Sequence, residues 1–234
     1  MIKKSLSSFW NDFFLLRKLN IGSDHESTES TESATVLCRL AEQFKSDKCP
    51  AILHTYTPKY HLLLEPFRED LHSVLEIGVG NPQLMKPIAG HDYKPGASLR
   101  MWEQYFPHAQ IIGFDIEPSV QFAEGRIKTF IVDQSSPSSL LSGLSDAGLR
   151  NVDLIIDDGS HLIEHQLISL ETLWPKLSVG GIYIIEDIRE KDLEHFTTPK
   201  VSTVSQILKH SWIHIHYSKH NSAWDSFVAY KKLV

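Results

Sequence analysis

Cysteine is nearly absent. Cys38 and Cys49 are the only two in 234 residues, and their spacing fits neither a disulfide framework nor a zinc site, which favours a reducing compartment and a cytoplasmic protein. A basic excess is missing as well. The chain carries 23 Lys and Arg against 29 Asp and Glu, a formal net charge of −6, so a small molecule is a better expected partner than a nucleic acid. No apolar run approaches the length of a membrane span. What the chain does have is a hydrophobic fraction of 41%, enough to bury a real core in one α/β domain with an N-terminal extension.

In that extension, residues 1–33, Ile2, Leu6, Phe9, Phe13, Leu16 and Leu19 recur at helical spacing and predict an amphipathic helix. Asn11 and Asp12 interrupt the apolar stretch and no small-residue cleavage site follows, unlike a signal peptide. Packing on its own domain, or on a second subunit of a homo-oligomer, is the first expectation for this helix and docking on a membrane surface the second. Residues 22–33 then turn to Ser, Thr, Glu and Asp, a composition that cannot bury apolar surface and reads as a polar linker. A helical region follows over residues 34–72, with helices expected over 34–44 and 58–68. Between them lie Ser46-Asp47-Lys48-Cys49 and His54-Thr55-Tyr56-Thr57, which serve either as loop and cap chemistry or as part of a lid.

From residue 73 the pattern becomes apolar strand, turn, helix, repeated. Ser73-Val-Leu-Glu-Ile-Gly78 leads into Val79-Gly80, where glycine lets backbone amides approach a ligand and Glu76 stands close by. Residues 81–95 lengthen the loop before the next helix, and the third glycine of a dinucleotide fingerprint is missing. The strand Gln110-Ile-Ile-Gly-Phe-Asp115 ends in an acid suited to ribose hydroxyls. A third strand, residues 127–132, ends in Asp133-Gln134, where a carboxylate can accept from an adenine amino group.

The chain is organised around residues 152–166. Val152, Leu154, Ile155 and Ile156 predict a strand buried on both faces, stopped by Asp157-Asp158-Gly159-Ser160 before a helix that begins near His161. Gly180-Gly-Ile-Tyr-Ile-Ile-Glu186-Asp187 repeats the pattern of apolar run and paired acids. Neighbouring strands lie about 5 Å apart, so acids at two adjacent ends can converge on one ion. Asp158, Glu186 and Asp187 offer hard oxygen donors that suit Mg²⁺ better than Zn²⁺. Two last strands, residues 212–217 and 227–230, predict a C-terminal hairpin with an antiparallel edge strand.

Taken in order, Leu-Glu-Ile-Gly-Val-Gly, Phe-Asp-Ile-Glu-Pro, Val-Asp-Gln-Ser, Ile-Asp-Asp-Gly-Ser-His and Gly-Gly-Ile-Tyr-Ile-Ile-Glu-Asp resemble class I S-adenosylmethionine-dependent methyltransferases. More closely, they are similar to the metal-dependent sugar O-methyltransferases of macrolide biosynthesis, the mycinamicin and macrocin type. The resemblance runs from about residue 46 to residue 187. It implies a Rossmann-like, mostly parallel seven-stranded sheet with a C-terminal antiparallel hairpin strand. It also implies that Glu76, Gly78 and Gly80 hold the methionine end of S-adenosylmethionine, Asp115 the ribose, and Asp133 with Gln134 the adenine side. Asp158, Glu186 and Asp187 match the metal ligands and His161 the general base. The implied reaction is Mg²⁺-dependent O-methylation of a sugar hydroxyl on a glycoside. Methylation of a catechol or other diol, and a non-catalytic cofactor-binding subunit, stand as alternatives. A nicotinamide oxidoreductase is disfavoured by the failed glycine spacing.

Overall fold

The computed structural model describes residues 34–198, 202–217 and 226–234. The helix and polar linker expected over residues 1–33 lie outside them. The sheet has eight strands in the order β3-β4-β2-β1-β5-β6-β8-β7. These are β1 (Ser73–Ile77), β2 (Gln110–Asp115), β3 (Ala123–Glu124), β4 (Ile127–Ile131), β5 (Val152–Asp157), β6 (Leu177–Ile185), β7 (Ser211–Tyr217) and β8 (Ser226–Lys232). Strands β4, β2, β1, β5 and β6 run parallel. Seven substantial strands were expected, and the eighth is the two-residue β3, which pairs with the start of β4. At the other margin β8 runs antiparallel to both β6 and β7. The antiparallel strand therefore sits one place in from the edge, and β7 forms the edge itself.

The helices cover both faces. One layer has α1 (Val36–Phe44), α2 (Tyr56–Leu64) and α4 (Ala97–Tyr105), with α1 packed on both of the others. The other has α5 (Pro137–Asp146), α6 (Ile163–Leu173) and α8 (Ser202–Lys209). Helix α3 (Pro82–Ala89) follows β1 in the chain, and α7 (Glu194–Thr197) precedes α8.

Residues 81–95 were read as a lengthened loop, but they contain α3. Its start is locally encoded: the Asn81 side chain accepts from the Gln83 amide and Pro82 opens the first turn, where a missing N–H costs nothing. Helix α2 begins at Tyr56, two residues before its expected start, and ends at Leu64, followed by a short 3₁₀ turn. The region 34–72 is bolted into the domain, since Leu37, Tyr56, Tyr60 and Leu64 are fully buried.

Strand alternation sorts the core. Leu75, Ile77, Ile155, Tyr183 and Ile185 face α5, α6 and α8 and form one apolar cluster with Leu140, Leu144 and Leu170. The alternate positions point to the α1, α2 and α4 layer. Among them are Glu76, within β1, and Asp158 and Glu186, one residue beyond β5 and β6. Three neighbouring strands thus deliver three carboxylates to one side of the sheet. Both cysteines are buried thiols. Among the described residues no helix is long and apolar enough to cross a membrane.

Candidate active site

At the carboxyl ends of the parallel strands lies a cleft of about 460 Å³. Gly78, Gly80, Asp115, Asp133 and Gln134 line it, and so do Asp158, His161 and Asp187. The cofactor-type and acid-type residues singled out in the sequence are thereby brought to one place. Glu76 and Glu186 are not in the lining. They are buried behind it, 0% and 1% exposed.

On the β1 side the backbone makes the close approach. Gly78 has φ +101°, and a Cβ there would fall on the carbonyl oxygen of Asp158, so only glycine lets the β1 and β5 ends meet. The Asp115 carboxylate clamps two loops, accepting from Val79 N at 2.8 Å and Glu117 N at 2.9 Å. Asp133 accepts from the backbone and hydroxyl of Ser135 at 2.8 and 2.6 Å, and these bonds hold its carboxyl below the usual range.

Gln134 also has a local structural task. Its amide nitrogen donates to Asp157 at 2.6 Å, and its oxygen accepts from Ser160 N at 3.0 Å. It ties the end of β5 to the turn that carries His161. Asp157 is fully buried and also accepts from Ser169. Burial raises its pKa to about 6, although those hydrogen bonds pull the other way. Ser160 in turn bonds His165 Nδ1 at 2.9 Å, so His165 braces the same turn.

His161 and Asp187 both adopt left-handed backbone conformations, φ +56° and +55°. Such strain in non-glycine residues costs about 1–3 kcal/mol each and concentrates at functional sites. It turns the two side chains toward each other: His161 Nε2 lies 3.6 Å from Asp187 Oδ2. One donor atom each from Asp158, His161 and Asp187 lie within 4.8 Å of one another. Asp187 is further held by Tyr56, whose hydroxyl donates to Oδ1 at 2.6 Å, with His54 Nε2 at 3.7 Å. Burial raises the Asp187 pKa, and the nearby Asp158 raises it further.

Behind the cleft sits a group the sequence reading did not assign. Lys48 is 1% exposed, and its Nζ donates to Asp158 Oδ2 at 2.5 Å and Glu186 Oε2 at 2.7 Å and lies 3.2 Å from Glu76 Oε1. Burial alone would lower the pKa of this ammonium, but the three carboxylates reverse that and raise it well above the ordinary lysine value. Tyr60 donates to Glu186 Oε1 at 2.7 Å, and Trp102 Nε1 to Glu76 Oε2 at 2.9 Å. Even so, burial lifts the Glu76 pKa to about 7 and that of Glu186 well above the carboxylate range. Lys48 and Tyr56 come from the two polar and aromatic segments noted after α1, and Tyr60 lies one turn further along α2. That clustering was visible in the sequence, but nothing local showed that it faces the strand ends.

Comparison with known proteins places this geometry. The structure aligns with the MycE methyltransferase from the mycinamycin biosynthetic pathway in complex with Mg, SAH and mycinamycin VI at a TM-score of 0.64 and 26% identity, over 86% of this chain and 54% of that one. The described domain has the class I methyltransferase fold. Among curated proteins, the chain is similar to the 8-demethyl-8-alpha-L-rhamnosyl tetracenomycin-C 2'-O-methyltransferase of Streptomyces olivaceus, 41% identical over 153 residues, 65% of this chain and 38% of that protein. It is also similar to the demethylmacrocin O-methyltransferase of Streptomyces fradiae, 39% identical over 58% of this chain and 32% of that protein. The mycinamicin VI 2''-O-methyltransferase of Micromonospora griseorubida is 38% identical over 58% of this chain and 32% of its own length. No family model matches the chain. The matched segment thus spans about a third of the length of these curated relatives.

Proposed function

We propose that this methyltransferase domain transfers a methyl group from S-adenosylmethionine to a sugar hydroxyl of a glycoside, with Mg²⁺ at the site. The observation that carries the reading is the meeting of Asp158, His161 and Asp187 within 4.8 Å in the same cleft as Gly78, Gly80, Asp115 and Asp133. The relatives' names, which specify O-methylation of rhamnosyl and mycinamicin glycosides, support the acceptor class.

The residues present fit both groups. Asp158 and Asp187 offer the oxygen donors a hard divalent cation takes, and they would hold Mg²⁺ with Glu186 behind them. Gly78 and Gly80 open the β1 turn to the methionine end of the cofactor, while Asp115 and Asp133 stand where the ribose and adenine edges would lie. Gln134 lines the same wall and ties it to the end of β5. Bound S-adenosylmethionine supplies an electrophilic methyl, and a bound divalent cation lowers the pKa of a hydroxyl and orients a vicinal diol. The remaining work falls to the chain. Methyl transfer is an in-line displacement, so the cleft walls must align the acceptor oxygen. His161 Nε2, at the cleft and facing Asp187, would take the hydroxyl proton as the C–O bond forms and the methyl–sulfur bond breaks, and Asp187 would stabilise the resulting imidazolium.

Calorimetry with S-adenosylmethionine, S-adenosylhomocysteine and NAD tests the class. Binding of the first two and not of NAD is expected, and binding of NAD alone would sink the methyltransferase reading.

A further inference from the structure

We infer that Lys48 is an internal counter-cation that keeps the carboxylate cluster assembled when no divalent ion is bound, and that it competes with that ion for Asp158 and Glu186. The inference rests on the reading of the cleft as a divalent-cation site and adds a positioning residue to it.

Geometry carries it. Strands β1, β5 and β6 are neighbours, and alternation sends Glu76, Asp158 and Glu186 to one face of the sheet. Three carboxylates collected this closely repel one another, and two of them are sealed from water. One ammonium answers them, donating to Asp158 at 2.5 Å and Glu186 at 2.7 Å and lying 3.2 Å from Glu76. Lys48 is placed by the chain rather than by chance: its carbonyl accepts from Tyr56 N at 3.2 Å and Thr57 N at 3.0 Å, which fastens the loop to the start of α2.

The consequence for the ion is electrostatic. Asp158 belongs to both clusters, since its Oδ2 accepts a hydrogen bond from Lys48 while the same carboxylate stands with His161 and Asp187. A cation at the cleft therefore shares a ligand with a buried ammonium and is repelled by it. Removing Lys48 frees Asp158 and Glu186 for the ion but leaves buried charge uncompensated when the ion is absent. A lysine that only packs would affect stability and leave ion affinity where it was.

The test compares the full-length wild type with Lys48→Met in calorimetric titrations with Mn²⁺ and in melting with and without it. Lys48→Met should melt well below wild type without metal, recover most of that loss in Mn²⁺, and bind Mn²⁺ at least about tenfold more tightly. A second variant, Lys48→Met with Glu76→Gln, removes the cation and one carboxylate together, so the formal charge of the cluster is the same as in wild type and the protein stays folded. Its Mn²⁺ affinity should rise too. Equal or weaker Mn²⁺ binding in either folded variant overturns the role of Lys48. A wild type that binds no Mn²⁺ overturns the metal reading itself.

Discussion

Tyr60→Phe removes a single oxygen from the interior of this domain, and the structure fixes what that oxygen does. The ring is fully buried and packs on Phe227 with centroids 4.8 Å apart, on Tyr56 at 5.9 Å and on Trp102 at 6.0 Å. None of that packing changes in phenylalanine. What is lost is the hydroxyl donor to Glu186 Oε1 at 2.7 Å. Both groups are sealed from water, so no solvent molecule replaces it without a rearrangement. Hydrogen bonds to charged groups are worth about 1.5–3 kcal/mol. A domain of this size loses about 2–4 °C of melting temperature per kcal/mol, so a fall of roughly 3–12 °C is expected. Tyr56→Phe is the internal comparison. Its hydroxyl serves Asp187, whose side chain is 15% exposed, so water can take over and the cost should be smaller, about 1 kcal/mol. Urea denaturation of both variants measures the difference. A Tyr60→Phe protein within about 0.5 kcal/mol of wild type, or one more stable than Tyr56→Phe, would refute the claim that the buried carboxylate depends on this donor.

Gly78→Ala places a Cβ on the Asp158 carbonyl at a left-handed backbone position; it should cost at least about 2 kcal/mol and weaken S-adenosylhomocysteine binding in calorimetry. Gln134→Leu severs the bridge from Asp157 to Ser160 N and should cost about 1–2 kcal/mol in urea unfolding, because the fully buried Asp157 loses a donor. His161→Ala should abolish methyl transfer in a mass-shift assay while cofactor binding stays within about threefold of wild type, since its contribution is to proton transfer. Asp158→Ala should lower activity in a way that excess Mg²⁺ does not restore, whereas activity lost to a chelator returns when Mg²⁺ is added back.

The parallel strands and the acids at their ends could be read in the sequence because apolar runs closed by Gly or Asp are a local signal. Strand alternation was equally present in Val-Leu-Glu-Ile: Glu76 lies inside β1, two residues from Val74, and faces Trp102 rather than the cleft. Glu76 is close to the cleft glycines in sequence, but that period of two turns its side chain to the sealed side of the sheet. The same period separates Asp157 from Asp158, and it explains why the first is a buried support and the second stands at the cleft. Helix α3 was hidden by Pro87 and by the glycines on either side of it, although Asn81 and Pro82 spell an ordinary helix start. Lys48 could not be placed at all. Its partners are 28, 110 and 138 positions away in the chain, and no local pattern announces a long-range buried ion pair.

The central claim is metal-dependent methylation of a glycoside hydroxyl, and one measurement tests it most directly. The protein is incubated with S-adenosylmethionine and a panel of rhamnosylated and other glycosides beside simple catechols, with Mg²⁺ or with a chelator, and the products are weighed by mass spectrometry. A glycoside that gains one methyl group with Mg²⁺ and none under chelation is the predicted result; methylation that proceeds undiminished in the chelator, or that occurs only on catechols, would contradict the account.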